Sequence, residues 1–254
     1  MEEGNGLEYV TSSTVDSLQT KKEAIKKGAL AGIPICLGYL PIAIAYGVLA
    51  IQSGLTTVEA IMMSVFVYAG ASQFMAANMI FQGALVVQII FATFVLNFRH
   101  FIMSMSFMNK AKHFPLKWRA FLAVTLTDES FAVSASHSEE TKKQNGVYFF
   151  ITMFLTAYLS WLVGSLIGAL LGDLLPQALS ESMGIALYAM FIGLLIPPIK
   201  KEWRLGIIAI VSMVINFILI EYAGFENENQ GWAIVIATLC GSFLGIFLLK
   251  EDEV

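Results

Sequence analysis

The residues with the clearest chemical potential are Arg99 and His100, which lie inside an apolar run, residues 84–108, that carries no other charge. A run of this length can cross a lipid bilayer. A guanidinium at membrane depth costs about 2.5 kcal/mol or more, so it is retained where it faces a cavity or a partner. Arg99 therefore predicts an acidic partner or an anionic ligand within the membrane.

Two acids in the next apolar segment can supply that partner. Asp128 and Glu129 occur together in the motif LTDESFA, residues 126–132. Neighbouring residues on a helix point about 100° apart, so one acid can face Arg99 while the other faces water or a helix end. The acid that faces Arg99 is either a structural counter-ion or a site for a proton or an ammonium group. His100 is a second proton candidate because imidazole titrates near neutral pH, and the alternative is a hydrogen-bonded packing residue.

A second polar cluster lies in the motif VFVYAGASQF, residues 65–74. Its small residues would allow close helix packing, which is one explanation of the motif. Packing does not explain the side-chain amides, which need hydrogen-bond partners that lipid cannot supply. The motif and its surroundings therefore predict a pore or binding-site role for Tyr68, Gly70, Ser72, Gln73, Asn78 and Asn97.

The composition identifies a broad class and excludes others. The chain has 254 residues, 57% hydrophobic and 13% charged, with a formal net charge of -4. Together with a mean hydropathy of +0.73, these values predict an all-α, polytopic helical membrane protein. The charge gives no basic surface for nucleic acid, and no Walker, GxSxG or HExxH motif indicates ATP use or hydrolysis. We therefore expect a non-enzyme without metal, in which Cys36 and Cys240 are reduced packing residues.

The apolar runs predict a cytoplasmic tail, residues 1–27, and a single membrane domain, residues 28–250. Four lysines before the first run place the N-terminus in the cytoplasm by the positive-inside rule. The first run, residues 29–51, contains breakers that should kink or interrupt the helix, namely Gly32, Pro34, Gly38 and Pro41. Its Tyr39 and Tyr46 are interpreted as core or interface aromatics. In total we expect seven or eight membrane segments, at residues 29–51, 58–81, 84–108, 118–137, 147–171, 183–199, 206–222 and 232–249, with some segments broken.

The basic loop at residues 109–119 creates a conflict in the topology. The positive-inside rule places this loop in the cytoplasm, but three full crossings from a cytoplasmic N-terminus would place it outside. Either one of the first two runs is re-entrant, or the rule fails locally. We expect a re-entrant or broken run, which would also indicate a ligand path.

A weak internal repeat at an offset of about 120 residues predicts homologous halves, residues 28–137 and 146–250. The Asn97-Phe98 pair aligns with Asn216-Phe217, whereas Arg99 and His100 align with Ile218 and Leu219. We therefore expect the mechanism to depend on charges in the first half.

From about Gly28 to its end, the chain resembles the large subunit of the AzlC-type branched-chain amino acid exporters. The resemblance is carried by VFVYAGASQF, LNFRH at residues 96–100, and LTDESFA, in this order. It implies a secondary transporter of the bacterial inner membrane that expels branched-chain or related apolar amino acids with a small AzlD-type membrane subunit. We expect no cofactor, and we expect a proton gradient as the energy source. Arg99 would take the substrate carboxylate, and Asp128 or Glu129 would take the ammonium group or a coupling proton.

Two other functions remain open at this point. The chain could be an uptake permease or a channel for small zwitterions, because a sequence does not encode the direction of flux. It could also be a membrane scaffold that transports nothing, although a scaffold has little reason to keep Arg99, Asp128 and Glu129 at apolar depth.

Overall fold

The computed structural model describes residues 20–172, 192–193, 195–225 and 230–249. These residues form α-helices and one 3-10 helix and contain no strand, which confirms the all-α prediction. Five helices are long and apolar enough to cross a membrane. The helices are α1 (Lys21–Gln52), α2 (Thr57–Phe66), α3 (Gly70–Phe81), α4 (Val86–Lys110), α5 (Leu116–Val124), α6 (Asp128–Ser136), the 3-10 helix (Ser138–Lys142), α7 (Gly146–Leu171), α8 (Arg204–Glu221) and α9 (Gln230–Leu248).

The chain divides into two compact units, and each is described by itself below. The first unit comprises Met1–Leu40 and Arg99–Trp161, and the second comprises Pro41–Phe98 and Leu162–Val254. The predicted spans at residues 147–171, 206–222 and 232–249 correspond to α7, α8 and α9. Most of the predicted span at residues 183–199 lies outside the described residues.

In the first unit, α1 and α7 pack side by side and run in the same direction. Gly28 lies against the backbone of Phe149, and Gly32 lies against Met153 and Thr156. A side chain at either glycine would collide with α7, so glycine permits this close approach. Residue numbers rise together along the two helices, so the N-terminal ends of α1 and α7 lie at the same end of the unit. The Lys21 ammonium accordingly lies 4.3 Å from the centre of the Tyr148 ring.

Helices α5 and α6 form a re-entrant hairpin, which we call the α5–α6 hairpin. The chain enters it at Phe114, whose ring lies 6.1 Å from that of Phe150, and leaves it at His137, whose ring lies 5.4 Å from that of Phe149. Both ends are therefore beside the start of α7. Each helical arm has nine residues, a length of about 13 Å, or less than half the thickness of a bilayer's hydrocarbon core.

The same contacts place the basic loop at the end of the first unit where α1 begins. Phe107, near the end of α4, packs on Phe150 with ring centres 5.2 Å apart. His113 Nε2 hydrogen-bonds with the backbone carbonyl of Thr141, just before α7. The basic loop and the lysines at the start of α1 therefore lie at the same end of the first unit.

In the second unit, α2 and α3 fold back on one another around residues 67–69. Gln73 Nε2 donates a 2.9 Å hydrogen bond to Ser64 Oγ, nine residues earlier, a separation of about 13 Å along a continuous helix. At the turn, Tyr68 has a positive φ of 42° and Gly70 begins α3. Helix α1, in contrast, continues through Pro34 and Pro41, both on exposed positions. Of the two outcomes expected for the first run, the interruption is therefore wrong, because a membrane helix tolerates proline where its freed carbonyl groups are re-satisfied. The other outcome, a kink, stays a prediction.

The second unit contains close helix contacts of its own. Gly47 lies against Ser165 and Ala169, and Gly168 lies against the backbone of Ile44. Helix α9 packs on α8, where Gly241 meets the Ser212 side chain. Helix α9 also contacts α3 and α4, in an apolar cluster of Met79, Ala92 and Val235.

Candidate functional site

In the first unit, Arg99 forms an ion pair with Asp128. Arg99 Nη1, on α4, lies 3.0 Å from Asp128 Oδ2, and each side chain is about one third exposed (33% and 32%). Asp128 is the first residue of α6, where the helix dipole favours a negative charge. The acidic partner that the sequence analysis expected is present, and it is Asp128.

Glu129 has a different partner, Tyr39 on α1. Tyr39 Oη lies 2.5 Å from Glu129 Oε2 and 2.6 Å from Thr127 Oγ1. A phenol has one proton and a carboxylate can only accept, so Tyr39 donates to Glu129. The ring is buried and meets Trp161 edge-on at 5.4 Å. The sequence pattern was consistent with a packing role for Tyr39. Its hydrogen bond to Glu129, which is 90 residues away in the sequence, is visible in the structure.

The start of α6 directs the two acids to different neighbours. Thr127 Oγ1 accepts from the Ser130 backbone N–H at 3.3 Å, and Ser130 Oγ accepts from the Thr127 N–H at 2.8 Å. This reciprocal cap fixes the first helical turn at the tip of the α5–α6 hairpin. Tyr39 lies 11 residues along α1 from Gly28, or about 16 Å from the end of the unit where the hairpin enters. The two carboxylates therefore lie near mid-membrane depth.

Some polar atoms near these carboxylates are not hydrogen-bonded. Among the described residues, Arg99 Nε and His100 Nε2 are buried without a hydrogen-bond partner. His100 also lies within electrostatic range of Arg99 and Glu129. Buried polar groups normally have partners, so the unused Nε–H of the paired Arg99 guanidinium is a suitable donor for an anionic ligand.

In the second unit, the Gln73 amide belongs to a closed hydrogen-bond network. Gln73 donates to Ser64 on α2, and the Ser64 hydroxyl donates to Ser165 Oγ on α7 at 2.8 Å. All three side chains are fully buried, and nearby Tyr46 donates to the Ala60 carbonyl at 3.2 Å. The roles of Ser64 and Ser165 in this network were not predicted from the sequence, because a serine in an apolar helix carries no signal of its own.

Other candidate residues of the second unit line an open groove of about 500 Å³ beside α4. Ser72 and Asn97 both contribute to it, together with Met63, Phe66 and Phe94. The Asn97 Oδ1 atom is buried and has no hydrogen-bond partner in the described part of the chain.

The last three candidates of the second unit lie around α3. Tyr68 and Gly70 are at the turn that starts this helix. Asn78 is near its other end, where its side chain accepts from Gln82. The described residues contain no group of three His, Cys, Asp or Glu side chains that could hold a metal ion.

Comparison with known proteins gives one family and several partial relatives. The family model described as "AzlC protein" matches residues 34–175, more than half of the chain. An "Uncharacterized membrane protein" of Archaeoglobus fulgidus is 32% identical over 123 residues, 48% of this chain and 54% of that protein. One of the same description from Helicobacter pylori is 32% identical over 102 residues, 40% of this chain and 44% of that protein.

A third relative has a printed function. The "Branched-chain amino acid transport protein AzlC" of Bacillus subtilis is 28% identical over 122 residues, 48% of each chain. The chain thus spans about half the length of the relatives that it matches. No solved structure matches it significantly. The named relatives and the five membrane-capable helices agree that this is a membrane protein.

Proposed function

Because the chain belongs to the AzlC family, we propose that it is a secondary active transporter that exports branched-chain or other apolar amino acids across the cytoplasmic membrane. The printed name of the Bacillus subtilis relative supports the substrate class. The family and the all-helical membrane fold favour transport over catalysis. We also propose a proton gradient as the energy source and a small AzlD-type membrane subunit as the partner.

The observation that carries this proposal is the Arg99–Asp128 ion pair at the tip of the α5–α6 hairpin. A zwitterionic amino acid needs a cation for its carboxylate and an acceptor for its ammonium group. Arg99 can exchange Asp128 for the substrate carboxylate at Nη1, and its unsatisfied Nε is a further donor on another edge of the guanidinium. Asp128 is then free to accept from the substrate ammonium group, so a single exchange satisfies both ends of the substrate.

The backbone at this position also supports a substrate path. Residues 125–127 are not helical and separate α5 from α6. At membrane depth such backbone is tolerated where it is buried in protein or lines a water-filled cavity. In transporters, broken helices at mid-membrane depth commonly form the substrate site. The lysines at the start of α1 would place the opening of the hairpin on the cytoplasmic side, the side from which an exporter takes its substrate.

The test is efflux of preloaded radiolabelled leucine from proteoliposomes, with and without a pH gradient and with or without the small subunit. We expect gradient-dependent efflux that Arg99→Ala abolishes. Arg119→Ala is the matched control, because Arg119 is also in the first unit with a buried, unpartnered Nε but has no ion pair in the described chain. Normal efflux by the Arg99→Ala protein would contradict the proposed site.

The same assay separates the competing functions. Flux that equilibrates leucine without responding to the pH gradient would indicate a channel. Accumulation driven by an inward proton gradient would indicate an uptake permease. Absence of flux from folded protein paired with its subunit would overturn the amino acid assignment.

A further inference from the structure

The two adjacent acids at the tip of the α5–α6 hairpin have different partners. Asp128 lies 3.0 Å from the Arg99 guanidinium. Glu129 lies 2.5 Å from the Tyr39 hydroxyl and forms no ion pair with Lys or Arg in the described residues. We infer that Asp128 is the exchangeable counter-ion of Arg99, whereas Glu129 carries the coupling proton and Tyr39 controls its release. This inference rests on the proposed transport function and assigns residues within it.

A carboxylate that pairs with arginine is a poor proton carrier while the pair persists. The guanidinium keeps its charge at all physiological pH values, and it favours the charged form of a carboxylate within hydrogen-bond distance. Among the described residues, Glu129 has the Tyr39 hydroxyl and no Lys or Arg at this distance. A proton can therefore bind to Glu129 without breaking the Arg99–Asp128 ion pair.

The titratable and charged groups around Glu129 come from three helices. Tyr39 is on α1, Asp128 is the neighbour of Glu129 on α6, and Arg99 and His100 are on α4. His100 interacts electrostatically with both Arg99 and Glu129. Helix α7 contributes the indole of Trp161 behind the Tyr39 ring, and this group does not titrate. Of these groups, Tyr39 is the one that donates a hydrogen bond to Glu129.

Protonation of Glu129 changes its bond to α1. A hydrogen bond to a carboxylate is about twice as strong as one between neutral groups. When Glu129 takes a proton from the aqueous side that the hairpin faces, the Tyr39 bond becomes neutral and weaker. The hairpin tip is then held less firmly against α1 and can turn toward the other side of the membrane. The proton leaves Glu129 on that side. Proton binding and movement of the tip are thereby linked through the Tyr39–Glu129 hydrogen bond, which is one of two contacts that the Tyr39 hydroxyl makes with the hairpin tip.

Removal of the Tyr39 hydroxyl should change the vibrational signature of Glu129. Tyr39→Phe keeps the ring that packs on Trp161 but removes the hydrogen bond that Tyr39 donates to Glu129. A Glu129 carboxyl group that loses this bond should show a shifted C=O stretching frequency. Tyr46→Phe is the matched control on the same helix, because its hydroxyl is also buried but donates to a backbone carbonyl.

The experiment is an infrared difference titration of the full chain in lipid membranes, from about pH 8 to about pH 5, following the C=O stretch of protonated carboxyl groups. We expect one pH-dependent band that Glu129→Gln removes and Asp128→Asn retains. Tyr39→Phe should shift the frequency of this band, because the carboxyl group loses a hydrogen-bond partner, and Tyr46→Phe should not.

Three results would overturn the inference. They are a band that disappears in Asp128→Asn and persists in Glu129→Gln, a band insensitive to both substitutions, and an unchanged band frequency in Tyr39→Phe. Glu129→Asp provides a further check, because a folded protein should regain a carboxyl band lost in Glu129→Gln. The readout needs no flux, so failed leucine efflux with an intact band would refute the proposed substrate and not the proton site.

Discussion

The Arg99–Asp128 ion pair can be tested by a double-mutant cycle that distinguishes a structural pair from a substrate site. Arg99→Gln and Asp128→Asn each remove one charge and keep the approximate shape, and the double variant removes both. Two charges 3.0 Å apart attract by about 5 kcal/mol at an effective dielectric constant of about 20. Because each side chain is about one third exposed, screening reduces the expected coupling free energy to about 2 kcal/mol.

The stability measurement is unfolding by SDS in mixed micelles. Each single variant should lose about 3 kcal/mol in free energy of unfolding, because it leaves the remaining charge unpaired. The double variant should be less destabilised than the sum of the two single variants by about 2 kcal/mol. Losses that add within about 0.5 kcal/mol would refute the interaction.

The transport measurement on the same proteins tests the role of Arg99. If Arg99 takes the substrate carboxylate, the double variant should stay inactive although part of its stability has returned. Losing charge-assisted hydrogen bonds to the carboxylate should weaken leucine binding about 100-fold. A double variant that transports leucine normally would show that the pair is structural and would refute the binding role.

Two further predictions concern the helix packing and the topology. Gly47→Leu should cost about 3 kcal/mol in unfolding free energy, because its side chain would collide with α7, whereas Gly38→Leu should cost little because nothing lies within 4 Å of a side chain there. Equal losses in the two variants would contradict the α1–α7 contact. In a chain without its native cysteines, Lys112→Cys and Lys142→Cys should react with an impermeant thiol reagent from one side of the membrane, and Gln82→Cys from the other. Labelling of all three from one side would contradict the re-entrant arrangement.

The sequence predicted the class of fold and the need for an acid near Arg99, because hydropathy and the cost of a buried charge act locally. It did not decide between Asp128 and Glu129. That choice depends on the helix phase that begins at Thr127, one residue before α6. A one-residue shift of this start would place Glu129 where Asp128 now faces Arg99, and Ser130 where Glu129 now faces Tyr39.

The sequence was less reliable for the position of the backbone breaks. Proline and glycine in the first run favoured an interruption of α1, but the chain breaks at Tyr68, which has a positive φ although it is not glycine. Such a conformation depends on tertiary contacts that no local pattern records. The contacts of Tyr39 and Ser165 are likewise long-range, so neither residue was identified as a polar contact from the sequence.

The register of α1 and α7 has an evolutionary consequence. Gly28 meets Phe149, Gly32 meets Met153, and Gly47 meets Gly168, each pair separated by 121 residues. This separation is two residues more than the 119 residues between Asn97 and Asn216 in the predicted repeat, so each glycine lies within about one helical turn of the counterpart that the repeat predicts. An isologous interface around a two-fold axis brings matching segments together in this way when two identical chains associate. The parallel α1–α7 packing is therefore the arrangement that two repeat-related helices would have if the predicted halves descend from one ancestor.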